Sequence, residues 1–256
     1  MGLTVAVVTQ DEPFYMPTFY RSFLDALDGS ITVEWVTILS TFDESLPDLV
    51  RRGYQLYGPA GFVRRGIGYA ARTAADRAEI GSYSVESVVR RRGVEVEHCG
   101  SVNTDAFRDR VEEAGVDVLL SVSAPEVFEP ATLAAPRWGC LNVHTSELPK
   151  YRGMLPTFWA LYHDEDEVGV TVHTMTETID DGEIVRQTAF QVPEDATLDD
   201  VITRGKRAGG RLAAEALADV NTEAVTLTPM EGEESYFSFP SADERREFQR
   251  RGNRLL

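Results

Sequence analysis

The 256-residue sequence predicts an α/β fold: a doubly wound, mostly parallel twisted sheet with helices on both faces and a short C-terminal extension. Two observations carry that expectation. Apolar runs of strand length recur at residues 3–8, 31–39, 94–97, 116–122 and 139–143. The segments between most of them have helical spacing, so crossovers rather than hairpins join the strands, and neighbours run parallel. The length suits one full core with a small appendage.

Taken in order, residues 3–8 read as a buried strand, 19–27 as a helix and 31–39 as a second strand. Residues 46–92 are rich in arginine and helical in pattern, with breaks expected at Gly58, Pro59 and Gly61. A third strand follows at 94–97. Thr104 or Asp105 can cap a helix that runs through Glu113 and stops at Gly115. Strands at 116–122 and 139–143 precede a short helix at 156–162. Residues 168–175 and 183–190 read as strands on either side of a turn at Asp180, Asp181 and Gly182. Thr197 opens a long amphipathic helix to Val220 with a Thr-x-x-Asp cap signal, and a strand is expected at 224–227. The chain thus divides into a main unit, 1–220, and an extension, 221–256, that ends in an arginine-rich tail.

With 42 acidic and 25 basic residues the formal net charge is -17, and Lys150 and Lys206 are the only lysines. Such an acidic field opposes a polyanion, so extended contact with nucleic acid is disfavoured and tRNA is not expected as a partner. It also suggests a halophilic protein, kept soluble where salt screens self-repulsion. No stretch approaches ~20 consecutive apolar residues and no basic leader precedes the first strand, so a cytoplasmic location without membrane contact is expected. Cys99 and Cys140 lie far apart in sequence, and His98 beside Cys99 has no further ligand at suitable spacing. Reduced structural thiols and no metal are expected.

Open sheets of this kind place ligands beyond the carboxyl ends of their strands, which points to residues just after Val8, Val122 and Val143. Asn142 and His144, two apart on a strand, leave the same face about 7 Å apart. An amide and an imidazole there can bind a carbonyl oxygen and stabilise the charge it gains under nucleophilic attack. Ser146, Leu148, Pro149, Lys150, Tyr151, Arg152 and Gly153 form a punctuated loop, followed by a strand through Gly169, Thr171 and His173. Gly182 permits a tight turn, and Asp180 sits where it can hold His144 in one tautomer and favour its cation. Such a trio makes an acyl-transfer site without a covalent nucleophile. The aromatics at Phe14, Tyr15, Phe19, Tyr20, Phe158, Trp159, Tyr236, Phe237 and Phe239 read chiefly as core. Arg245, Arg246, Arg250, Arg251 and Arg254 read as partners of the acidic surface.

The ordered run Asn142, His144, Ser146, Leu148, Pro149, Arg152, Gly153, Gly169, Thr171, His173, Asp180 and Gly182 resembles the formyltransferases that use 10-formyltetrahydrofolate. That family includes the methionyl-tRNA, glycinamide ribonucleotide and amino-sugar enzymes, and Glu147 departs from its usual apolar residue. The resemblance implies an enzyme, a transferase of one-carbon formyl groups, with 1–220 as its catalytic domain. It implies that Asn142 and His144 hold the developing oxyanion while Asp180 tunes His144 and relays the proton. It implies 10-formyltetrahydrofolate as co-substrate against Ser123, Ala124, Pro125, Glu126, Val127 and Ile179, with Ser146, Arg152, Gly153 and His173 on the substrate side.

For the acceptor, Thr9-Gln10-Asp11-Glu12-Pro13 replaces the glycine- and serine-rich loop that cradles a ribose phosphate in the purine enzymes. The segment after Phe190 is shorter than the barrel of the tRNA enzymes, and no room precedes Leu3 for the regulatory domain of the hydrolases. A small amine remains, an amino sugar on a nucleotide carrier being the family example. The alternatives are a methionyl-tRNA formyltransferase-like enzyme, a formyltetrahydrofolate hydrolase, and a non-catalytic folate- or nucleotide-binding module.

Overall fold

Strands that are apolar on both faces must be covered on both, and this requirement sets the architecture. A computed structural model describes residues 2–39 and 46–256. In chain order the elements are β1 (Leu3–Gln10), α1 (Met16–Ala26), β2 (Ile31–Leu39), α2 (Leu46–Arg77), α3 (Val85–Arg90), β3 (Glu95–Cys99), α4 (Asp105–Glu113), β4 (Val118–Val122) and α5 (Pro130–Leu133). They continue with β5 (Gly139–His144), β6 (Arg152–Gly153), α6 (Pro156–Tyr162), β7 (Glu167–Thr174), β8 (Ile184–Gln191), α7 (Leu198–Asn221), β9 (Tyr236–Phe237) and α8 (Ala242–Arg250).

Seven strands form one sheet in the order β3-β2-β1-β4-β5-β7-β8. The first five are parallel neighbours, whereas β7 runs antiparallel to both β5 and β8. The expected doubly wound, mostly parallel sheet is therefore the observed one. On one face Val5, Val7, Leu120 and Leu141 pack with Phe19 and Phe23 of α1 and Leu212 and Ala213 of α7. On the other, Ala6, Val8, Leu119 and Cys140 meet Phe107 and Val111 of α4 and Phe128. Asn142 and His144 alternate with Leu141 and Val143, and β5 ends beside β4 at the centre of the sheet's carboxyl edge.

Several boundaries differ from expectation for physical reasons. The arginine-rich stretch forms two helices, and only Gly58 departs from helical backbone inside α2, at φ 66° and ψ -178°. Pro59 then lies where a first helical turn tolerates a missing N–H, and Gly61 simply continues the helix. The strand expected at 224–227 is absent. Thr228 instead exchanges both backbone hydrogen bonds with Ile184.

Among the described residues no helix is long and apolar enough to cross a membrane. The extension is no loose tail. Helix α8, opened by a Ser241/Glu244 capping box, inserts Phe248 against Phe158 with ring centroids 4.7 Å apart. Its arginines pair with acidic neighbours, Arg246 with Asp243 and Arg251 with Glu247 and Asp164.

Candidate active site

The sheet register brings the polar residues together. Asn142 on β5 lies directly opposite His173 on β7, and both project from the same face. His173 donates Nδ1–H to the Thr174 carbonyl at 2.8 Å, which leaves Nε2 as an acceptor. Asn142 Nδ2 donates to that Nε2 at 3.2 Å and to Asp180 Oδ1 at 3.3 Å. His173 thus fixes which end of the Asn142 amide faces the site. Its expected place on the substrate side is refined by this: it lines the cavity but is 2 % exposed, behind the amide it orients.

Asp180 is reached by a different route. Its backbone adopts φ +53°, a left-handed conformation that costs about 1 kcal/mol or more for a residue with a side chain. This turns the carboxylate inward, where Oδ2 accepts the Gly153 N–H at 3.0 Å and Oδ1 lies 3.5 Å from His144 Nδ1. Gly182, expected to permit the turn through its own conformational freedom, has a different role. A Cβ there would lie 1.7 Å from the Thr174 carbonyl oxygen, so close approach demands glycine.

The tautomer of His144 is not set as expected. Its Nε2 lies 2.8 Å from the Tyr151 carbonyl, which can only accept, so the proton of neutral His144 sits on Nε2. The Tyr151 carbonyl, and not Asp180, sets the tautomer, and because it takes the one N–H of neutral His144, the share in holding the oxyanion expected of His144 falls to Asn142. Neutral His144 then turns the lone pair of Nδ1 towards the Asp180 carboxylate. Burial holds the imidazole below its ordinary value, against the pull of Asp180 towards the cation. Burial also opposes ionisation of Asp180, but the attraction of a charged His144 and the Gly153 N–H outweigh it and draw the carboxyl down to about 2. A lone pair and a carboxylate that converge at 3.5 Å form a site for one shared proton.

These groups lie at one side of a cavity of about 810 Å³. Ser123, Ala124, Pro125, Glu126, Val127 and Ile179 all line it, with Val127 and Ile179 about half exposed. Glu126 also accepts hydrogen bonds from Ser101 Oγ, Val102 N and Asn103 Nδ2, which ties this wall to the loop after β3. Gly153 lines the cavity too.

Ser146 and Arg152 do not. Ser146 is buried and donates to the Lys150 carbonyl at 2.7 Å, holding the loop. Arg152 is spent on Asp181 at 2.6 Å and Glu234 at 3.5 Å. Glu147 is exposed and lies off the cavity lining. Among the described residues no group of three or more His, Cys, Asp or Glu is placed to hold a metal ion.

Two functional candidates escaped the sequence reading. Both Glu12 oxygens turn back to the start of α1 and accept N–H groups from Phe14 at 2.9 Å, Tyr15 at 2.7 Å and Met16 at 3.4 Å. An internal carboxylate therefore occupies the anion-binding end of that helix. Lys206 projects from α7 into the cavity and donates to Ser123 Oγ at 2.7 Å. Burial draws its amine down to about 8, with Glu12 acting in the opposite sense. Phe14, Tyr15, Tyr236 and Phe239, expected chiefly as core, also line the cavity, together with Tyr57, Phe62 and Arg65 of α2.

Comparison with known proteins shows the family and the fold. Residues 71–217 match the family model described as formyl transferase. Methionyl-tRNA formyltransferase of Agathobacter rectalis is 27% identical over 151 residues, 59% of this chain and 49% of that protein. The chain spans about half the length of the curated relatives it matches. Among solved structures, glycinamide ribonucleotide transformylase 1 from Symbiobacterium toebii superposes with a TM-score of 0.61 at 19% identity, covering 90% of this chain and 95% of that one. The N-formyltransferase from Helicobacter canadensis, in complex with folinic acid and dTDP-3-aminofucose, gives 0.57 at 14% identity, covering 92% and 71%.

Proposed function

The chain belongs to the formyl transferase family, and on that premise we propose that it moves a formyl group from 10-formyltetrahydrofolate to the amine of a small acceptor. One observation carries the reading: Asn142, His144 and Asp180 converge within 3.3–3.5 Å at a cavity large enough for two ligands. The wall at 123–127 and Ile179 fits the flat ring of a folate, because its apolar side chains face open space. The co-substrate supplies the activated formyl group. The chain's own residues do the rest. Asn142 keeps one Nδ2–H on His173 and turns the other from Asp180 Oδ1 to the oxygen that gains charge, while the His144–Asp180 pair takes the proton that the amine sheds and delivers it to the folate nitrogen from which the formyl carbon breaks.

Residues 1–220 form the catalytic unit in this reading, and 221–256 an extension that closes the cavity with Tyr236 and Phe239. The acceptor lies against Glu12, Lys206 and the aromatic wall. Because Glu12 already fills the start of α1, a phosphate at that point would meet a carboxylate, which disfavours a ribose-phosphate acceptor. Flat aromatic faces favour an amino sugar on a nucleotide carrier, as in the Helicobacter canadensis neighbour. The curated relatives favour a second reading, methionyl-tRNA, against which the net charge of -17 acts at ordinary ionic strength.

The test is incubation with 10-formyltetrahydrofolate in high salt and a panel of amines that includes nucleotide-linked amino sugars, glycinamide ribonucleotide and methionyl-tRNA, with mass spectrometry of the products. Formylated product from one acceptor supports transfer and identifies the acceptor. Donor consumption that ignores the amine would mean a hydrolase, and no consumption a binding module.

A further inference from the structure

We propose that the C-terminal strand β9 is a positioning element for the His144–Asp180 pair, acting through the peptide group that joins Tyr151 to Arg152. The inference rests on the reading of that pair as the proton-handling groups. The two faces of this peptide are occupied from opposite directions. Its carbonyl accepts His144 Nε2–H at 2.8 Å, and its N–H donates to the Ser235 carbonyl at 2.9 Å. The next N–H, of Gly153, holds Asp180 Oδ2 at 3.0 Å, and the one after, of Met154, donates to the Phe237 carbonyl at 2.9 Å. The loop therefore alternates its bonds, one towards the site and one towards the tail.

Two more contacts lock the same register. Tyr151 N–H donates to Ser235 Oγ at 2.8 Å, and Ser235 N–H donates to the Pro149 carbonyl at 3.3 Å. Gly153 sits at φ +93°, and a Cβ there would lie 2.3 Å from the Phe237 carbonyl oxygen, so glycine is what lets β9 approach. Tyr151, at φ +59°, holds a left-handed conformation that few side chains adopt unaided. Ser146 and Glu165 hold the loop from its other side, and β9 with Ser235 supplies the partners on this edge of the 151–152 peptide.

The strand is itself held by packing. The Phe237 ring stacks on Trp159 with centroids 4.5 Å apart and on Tyr151 at 5.7 Å, and Trp159 Nε1–H donates to the Ser238 carbonyl at 3.0 Å. Hydrogen bonds in series through one amide polarise each other, so the Ser235 carbonyl strengthens the grip of Tyr151 on the His144 proton. That grip favours the imidazolium, and its loss lowers the affinity of His144 for a proton.

The experiment uses the full chain with Phe237→Ala, which removes the stacking while α8 keeps Phe248 in the core, and with Ser235→Ala as a gentler change. Phe237→Tyr is the conservative rescue, and Arg246→Ala on α8 the control. The readout is the nitrogen-15 spectrum of His144 across pH, which reports tautomer and protonation whether or not any amine is formylated. Wild type, Phe237→Tyr and Arg246→Ala are expected to show the Nε2–H tautomer. Phe237→Ala is expected to show a mixture of tautomers and protonation at lower pH, Ser235→Ala a smaller shift in the same direction. Where formyl transfer is measurable, kcat of Phe237→Ala falls about 10²-fold, the cost of roughly an ångström of misplacement. If Phe237→Ala unfolds, Ser235→Ala decides alone. A His144 tautomer and titration unchanged from wild type in a folded Phe237→Ala or Ser235→Ala protein would overturn the proposal, and would do so independently of whether the chain transfers formyl groups.

Discussion

Asp180→Asn isolates a single charge, since the amide keeps the size and shape of the carboxylate. When His144 takes the proton of the attacking amine, the imidazolium stands 3.5 Å from a carboxylate. At an effective dielectric constant of about 20, unit charges at that distance attract by about 4–5 kcal/mol. Losing that attraction raises the barrier by a comparable amount, so kcat is expected to fall about 10³-fold. The acid limb of the rate profile should move to lower pH, because His144 without its partner is harder to protonate.

A second reading of the same variant comes from stability. Asp180 is held at about 2 against an ordinary 3.8, a preference for the ionised form of about 2–3 kcal/mol. A carboxyl depressed in the fold stabilises it fully above the ordinary value, and that stability disappears as pH falls from about 4 to about 2. Asp180→Asn should flatten the acid-unfolding curve across that window. Release of tetrahydrofolate, product mass and thermal melting check all three outcomes. A folded Asp180→Asn protein within about tenfold of wild-type kcat, beside an inactive His144→Ala, would refute the shared-proton site.

Three further outcomes follow from the same geometry. Asn142→Ala removes the Nδ2 donor and should lower kcat about 10²–10³-fold with little change in melting, read from the same assay. Lys206→Met should raise the acceptor KM about tenfold while stabilising the fold by about 1–3 kcal/mol at neutral pH. The sign is set by an amine at about 8 instead of 10.5: the cost of burying its charge is full below about 8 and vanishes above the ordinary value, so denaturant midpoints of the two proteins should converge as pH rises through that window. With a net charge of -17, the melting temperature should rise with molar potassium chloride, and a flat or falling curve would count against a halophilic source.

How legible these features are depends on which atoms carry them. Strand β4, Val118–Val122, is apolar at four of its five residues and buried throughout, and that pattern shows directly in the residue types. In the proposed reaction Asn142, His144 and Asp180 act through side chains, so their identity and spacing point to them. Glu12 also acts through its side chain. Read as a repelling charge, it in fact accepts the N–H groups of Phe14 and Tyr15, just before α1, and of Met16, its first residue. Lys206 left a signal as well: it interrupts the covered stripe of Ile202, Gly209 and Ala213 on α7, and a lysine there must find a cavity or a partner.

Other parts act through the backbone, and every residue has a backbone. The Tyr151 carbonyl sets the His144 tautomer without using the phenol. Ser235 and Phe237 hold the loop largely through main-chain atoms, in two-residue strands too short to show any period. What pairs those strands is the approach of chain segments more than 80 positions apart, held by the packing of Phe237 on Trp159 and of Phe248 on Phe158. The same packing explains why an extension outside the family match can bear on a proton at His144: it is joined to the site by hydrogen-bonded peptide groups, which transmit orientation over a few ångströms without any catalytic side chain of their own.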